Sequence, residues 1–215
     1  HGLDPAHGAR VGGRLIVFLM RLREDRGHSG NPLGFKTSGR LALAVDNPDA
    51  DPSRWRPRRL ALPKELPDLH IGAAVLVRDG WFYAYCPSEP GHEVFLARWP
   101  EAQARRGELS RPQWWCGKDW RYGRSLSREG ARPAVLFQGE AEFSVHYDTA
   151  AGRYVQAQAV GFGGAELGLR WAPRPEGPWS PLSGVFRPEE SARPGVMVYA
   201  GKAHPELRGG GLVLR

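Results

Sequence analysis

Asp4, His7, His70, Glu142, His146, Lys202 and His204 are the side chains of this sequence whose types and spacing could do acid–base or hydroxyl-binding chemistry. Glu142 belongs to the run GEAEFSVHYDTAAGRYVQ, residues 139–156. That run reads as a hairpin: an alternating segment over 140–148, a Thr-Ala-Ala-Gly turn, and a second alternating segment from Arg153. Strand side chains alternate faces, so Phe143, Val145 and Tyr147 point one way and Glu142, Ser144 and His146 the other. A carboxylate at the start of such a strand, with no cationic neighbour in sequence, suits a general acid or base.

The same position recurs. Successive hairpins begin near His7, His70, Glu142 and the pair Lys202 and His204, at intervals of 63, 72 and 62 residues from His7 through His204. Titratable groups repeated at one place of mostly apolar strands are costly to bury without a purpose or a partner. Each also has a plainer reading. Glu142 could be capped by backbone amides, His7 and His70 could bond loop carbonyls, Lys202 and His204 could flank a turn, and His146 could close its hairpin. Three histidines around one axis raise a metal site. No His-x-His or His-x-x-x-His spacing accompanies them, so no metal and no other cofactor is expected.

The elements that would position these residues repeat as a hairpin, a loop, a third strand and a tryptophan. LALAVDNPD, VFLARWPEA and LGLRWAPRP align, and each is followed by a turn and then by Trp55, Trp114 or Trp179. In the second unit, LHIGAAVLV leads through Asp79-Gly80 into WFYAYCP, and Asp-Gly between alternating runs is a strong hairpin signal. The excursion EAQARRGEL is the one helical turn expected, and Arg170 reads as an exposed strand arginine. Four strands per unit at this period predict an all-β fold, a β-propeller with blades at about 7–62, 69–118, 139–187 and 195–215. A β-sandwich or barrel is the alternative. The last unit holds only its first two strands, and three and a half blades leave unpaired edges. The expectation is therefore one propeller domain over 1–215, present as a fragment; an open arc that dimerises is the second reading.

Composition narrows the function classes. The 28 glycines and 19 prolines favour short strands and tight turns. The net charge of +7 invites a nucleic-acid reading, but the arginines are scattered among Asp and Glu and no basic run exceeds a pair, so no nucleic-acid partner is expected. No apolar run has membrane length, and none reads as a secretory or transit segment, so no membrane partner is expected. Location stays open, with a secreted or extracellular setting as one reading. The two cysteines, Cys86 and Cys116, suit either a disulfide or two free thiols. Oligomeric state is not read from the sequence.

The runs EFSVHYDTAAGRYVQ, LRWAPRPEGPWS and VYAGKAHPEL, preceded by HGARVGGRLIVFLMR and LAVDNPDADPSRW, resemble an uncharacterised bacterial family. It is a domain of unknown function with a five-bladed propeller, grouped by fold with arabinanase- and levansucrase-like glycoside hydrolases. The resemblance covers essentially the whole chain. It implies a five-bladed propeller and a carbohydrate partner. The related hydrolases use three channel carboxylates, as nucleophile or base, helper and general acid. Carried onto this chain, Glu142 takes one such place and Asp4, just before the first strand, is a second; a third would lie in a missing blade. His70 and His204 depart from that pattern. The implied roles are catalysis for Glu142 and Asp4, and sugar binding for His7, His70, His146, Lys202 and His204. In a glycan-binding reading without catalysis, Trp81 and Trp171 are the sugar-facing aromatics. Glycoside hydrolysis asks for two carboxyl groups roughly 5 Å apart for retention or roughly 6.5–9.5 Å for inversion. A glycan-binding propeller without catalysis and a protein-interaction scaffold are the other two readings.

Overall fold

Alternating apolar runs punctuated by Gly, Asp and Pro fold into antiparallel sheets, each built from consecutive strands. A computed structural model describes residues 2–25, 34–161, 166–207 and 213–214, and of Ser127 the backbone alone. The first sheet has the order β1 (Gly2–Val11), β2 (Arg14–Glu24), β3 (Phe35–Val45) and β4 (Pro57–Leu60). The second runs β5 (Ala74–Arg78), β6 (Trp81–Pro87), β7 (Glu93–Pro100), β8 (Gln113–Trp115) and β9 (Trp120–Tyr122), with β10 (Phe137–Gln138) pairing β7. The third is β11 (Ser144–Asp148), β12 (Arg153–Ala159), β13 (Leu167–Ala172) and β14 (Ser183–Phe186). A short pair, β15 (Ala203–His204) and β16 (Val213–Leu214), ends the described chain. The loops read at 27–34 and at GFGG, and the turn read at 208–211, lie outside the described residues except for Gly34 and Gly161.

The Asp79-Gly80 turn is as its sequence requires. Both residues have positive φ, +49° and +77°, the geometry of a two-residue turn whose twist matches that of its strands. Helix α1 (Glu101–Arg106) follows β7, buries only Ala104 and stops at Gly107, which adopts the left-handed conformation. Helix α2 (Gly123–Glu129), β9 and β10 were not anticipated. The two added strands make the second sheet six-stranded. The chain returns after β9 and α2 to pair with the free end of β7, through Phe137 opposite Val94.

Three expectations are corrected. The tryptophan repeat does not mark one structural position. Trp114 lies fully buried within β8, whereas Trp55 precedes β4 and donates its indole N–H to Ala50 O at 3.0 Å. Trp179 also precedes its strand and packs edge-on against Phe137 and Tyr85, with ring centroids 5.3 Å and 6.1 Å away. Aromatic burial between sheets governs Trp179, not strand pairing. The last unit, read as two strands from 195, forms no strand over 196–199, where Val196, Met197 and Tyr199 are exposed. Arg170 is buried, not exposed. Its guanidinium donates to Gln138 O at 2.9 Å and lies over the Phe137 ring at 4.3 Å, so a carbonyl and a π-face replace the carboxylate or solvent expected in the sequence.

Two aromatic cores join the sheets. Phe18 of the first sheet stacks near Phe82 of the second, centroids 6.1 Å apart, with Trp99 and Trp114 behind them. Tyr85, Phe137, Phe143 and Trp179 fill the space between the second and third sheets. The opening strands of consecutive sheets lie side by side, β1 against β5 and β5 against β11. Segment β15 joins this row by packing on β12, where the backbone N–H of Ala203 donates to Ser144 Oγ at 2.8 Å. Arg40 clamps the link into the second sheet by donating to the carbonyls of Pro63, Leu66, Pro67 and Leu69.

Both cysteines are free thiols. Burial pushes the Cys86 thiol up to about 12, and burial followed by the nearby Asp119 charge also raises that of half-buried Cys116. Because the thiolate is the reactive species, a thiol-specific reagent at pH 8 is expected to modify Cys116 slowly and Cys86 only after unfolding. Modification of both at equal rates in the folded protein would contradict the burial of Cys86.

Candidate functional site

Asp4 enters the site from β1, which starts five residues earlier than the sequence suggested, so Asp4 lies inside the strand. The ladder between β1 and β2 slips between Pro5 and His7, a bulge that interrupts the regular alternation there. Glu142 comes from the approach to β11. That strand starts at Ser144, and Phe143, Ser144 and Val145 are all buried in succession. A strand covered on both faces loses the in–out alternation that its sequence resembles.

These two carboxylates, 138 positions apart in the chain, line the same cavity of about 430 Å³. Its walls include Leu3, Met20, Leu22, Phe35 and Tyr199, and Glu140 adds a third carboxylate. Glu140 was not singled out in the sequence, where it reads as one more residue of the alternating run. Only the short path from β10 to β11 brings it to the cavity beside Glu142.

Lys202 ties the last segment to the first strand. Its ammonium donates to Ala6 O at 2.9 Å and lies 3.6 Å from Glu142 Oε1. Both partners of that ion pair are largely covered, with side-chain exposures of 21% and 22%. Lys202 therefore fixes the Glu142 carboxylate by one charge contact while its own position is held by a backbone carbonyl.

Three of the four candidate histidines gather around Glu206. His204 Nδ1 is 2.9 Å from Glu206 Oε1, and the Glu206 charge is felt at both His7 and His146. Burial lowers His7 to about 4, helped by Lys202 and His204 and opposed by Glu206. Burial also lowers His146, against the opposing charges of Asp148 and Glu206. Glu206 escaped the sequence reading because HPEL resembles a turn. His70 is placed apart from this group. Its Nε2 lies 2.6 Å from Glu89 Oε2, and it lines a separate cavity of about 320 Å³ with Ser38, Arg40 and Asp68. Trp81 and Trp171 are also elsewhere: Arg98 covers Trp81 at 3.8 Å, and Trp171 faces outward beneath Arg153. Among the described residues no group of three His, Cys, Asp or Glu side chains is arranged to hold a metal ion, and no helix is long and apolar enough to cross a membrane.

The depressed His7 sets a pH dependence. Between its ordinary value of 6.5 and about 4, the unfolded chain binds a proton that the folded chain refuses. Stability then rises with pH through that window, and acidification from pH 6.5 to 4 costs up to about 3 kcal/mol from this group. His7→Gln is expected to flatten that limb of a urea-denaturation series. An unchanged slope between pH 4 and 6.5 would show that His7 does not govern it.

No protein-family model matches this sequence, and no curated protein does. Among solved structures, the chain is similar to one from Bacteroides ovatus described as a "putative hydrolase", with TM-score 0.69 at 15% sequence identity. The match covers 99% of this chain and 53% of that one, so this chain spans about half the length of that neighbour. RS223-Beta-xylosidase matches with TM-score 0.38 and 15% identity over 93% of this chain and 81% of its own. The GH43_1 enzyme from Xanthomonas citri matches with TM-score 0.38 and 14% identity over 85% and 73%. The first likeness shows a shared all-β fold; the other two are too distant to add to it.

Proposed function

We propose that this chain belongs to a carbohydrate-active, glycoside hydrolase-like protein whose site is the cavity shared by Asp4 and Glu142. The single observation that carries this reading is that convergence. Two carboxylates from opposite parts of the chain, with Glu140 beside them, meet in a cavity large enough for a sugar ring. Glu142 acts as general acid or base and Asp4 as its partner carboxylate. Lys202 orients Glu142, and His7, His146 and His204 border the site where sugar hydroxyls would bind. His70 takes its part, if the substrate is long enough, from the neighbouring cavity. The sheets are blades of a five-bladed propeller, with the limits 7–62, 69–118, 139–187 and 195–215, and the side-by-side opening strands support that reading.

The second reading is glycan binding without turnover. The apolar wall of Leu3, Met20, Leu22, Phe35 and Tyr199 favours it, because a mostly apolar pocket with a few placed polar groups suffices for recognition. A panel of p-nitrophenyl glycosides and neutral oligosaccharides separates the two. Hydrolysis that Asp4→Asn removes is the expected outcome. Saturable binding with no product supports the second reading, and neither binding nor product refutes both.

A further inference from the structure

A second cavity, of about 640 Å³, lies far along the sequence from Asp4 and Glu142, where the link after β4, the link from α1 to β8, and the start of α2 converge. Its lining contributes Lys64, Arg111 and Arg124, one cation from each of those three segments. All three are exposed, and among the described residues none has a carboxylate within ion-pair distance. What distinguishes them is that three separate segments bring them to one cavity.

The one carboxylate on the wall is that of Glu65. A Cβ at Gly123 would meet Glu65 Oε1 at 2.1 Å, so the Glu65 carboxylate sits directly on Gly123. Its charge also acts weakly on Arg40. Tyr122 stands at the same cavity with 46% of its surface exposed. A flat ring beside three cations that outnumber the single wall carboxylate matches a ligand that has both a sugar face and negative charge. A simple anion would use the cations and leave the ring idle.

We propose that this cavity binds an acidic oligosaccharide, with Lys64, Arg111 and Arg124 holding carboxylate groups on successive uronate rings and Tyr122 supporting one ring face. The assignment stands independently of the Asp4–Glu142 reading. It is tested by titration calorimetry of the full chain at low ionic strength, with tetragalacturonate as the probe. Inorganic phosphate, neutral xylotetraose and a short single-stranded oligonucleotide serve as comparisons. Saturable binding of tetragalacturonate is expected, weakened about tenfold by each of Lys64→Ala, Arg111→Ala and Arg124→Ala, through loss of a charge-assisted hydrogen bond. Lys64→Arg should retain it. The three positions are exposed, so an unchanged melting temperature is expected for all these variants. Unaltered affinity in the triple alanine variant overturns the site. Phosphate binding as tightly as the uronate overturns the saccharide assignment in favour of a free-anion site. Tighter binding of the oligonucleotide overturns it in favour of a nucleic-acid surface.

Discussion

Glu142→Gln is expected to lower glycoside turnover by about 10³-fold or more while leaving the fold intact. Glutamine keeps the size and hydrogen-bonding reach of glutamate but cannot exchange a proton, and positioned acid–base groups typically contribute about 10²–10⁴-fold. The structural cost is small. The charge contact to Lys202 at 3.6 Å is lost, yet Lys202 keeps its bond to Ala6 O, so the tie between the last segment and β1 survives. A partly exposed ion pair of this kind contributes about 0–1 kcal/mol. Steady-state kinetics together with a thermal melt separate the two effects. Unchanged turnover at an unchanged melting temperature would remove Glu142 from catalysis; retained saccharide binding with no turnover in either form would leave the cavity as a binding site.

The largest expected effect on stability comes from Gly72→Ala. Gly72 has φ of +87°, a left-handed conformation that costs an L-residue about 1–2 kcal/mol. A methyl group there would also sit 2.2 Å from Cγ of Phe18 and 2.6 Å from Cδ1 and Cδ2. Phe18 cannot retreat, because it is fully buried and stacked near Phe82, with Trp99 beyond. Overpacking of this kind costs about 1–3 kcal/mol more. A loss of about 3 kcal/mol or greater in urea denaturation is therefore expected, since the substitution drives apart the first and second sheets. The double variant Phe18→Leu with Gly72→Ala should be less destabilised than the sum of its parts. Strict additivity would show that the ring is not the obstacle.

Local chemistry made much of this molecule legible. The hairpins at Asp79-Gly80 and before Arg153 follow from turn residues and flanking alternation, both of which act over a few positions. The helical turn of α1 was visible because its polar run ends at a glycine able to take positive φ. The repeat exposed the sheets and Glu142. Asp4 came only from the family resemblance, as a residue just before the first strand, and the two line one cavity because opening strands are neighbours.

What the sequence alone determined is thus the all-β order, the turns, and a short roster of titratable residues at recurring positions. Those depend on interactions within one hairpin. Tertiary structure decided which of them meet. It moved His70 to Glu89, gathered His7, His146 and His204 around Glu206, and brought Glu140 to the cavity. It also buried Arg170 over Phe137 and sent Trp179 into the joint between two sheets. Apart from the His204–Glu206 contact and the placing of Glu140 beside Glu142, which are local, these contacts have no local signal, because each depends on how tightly the aromatic cores bring distant strands together, and packing is a property of the whole chain.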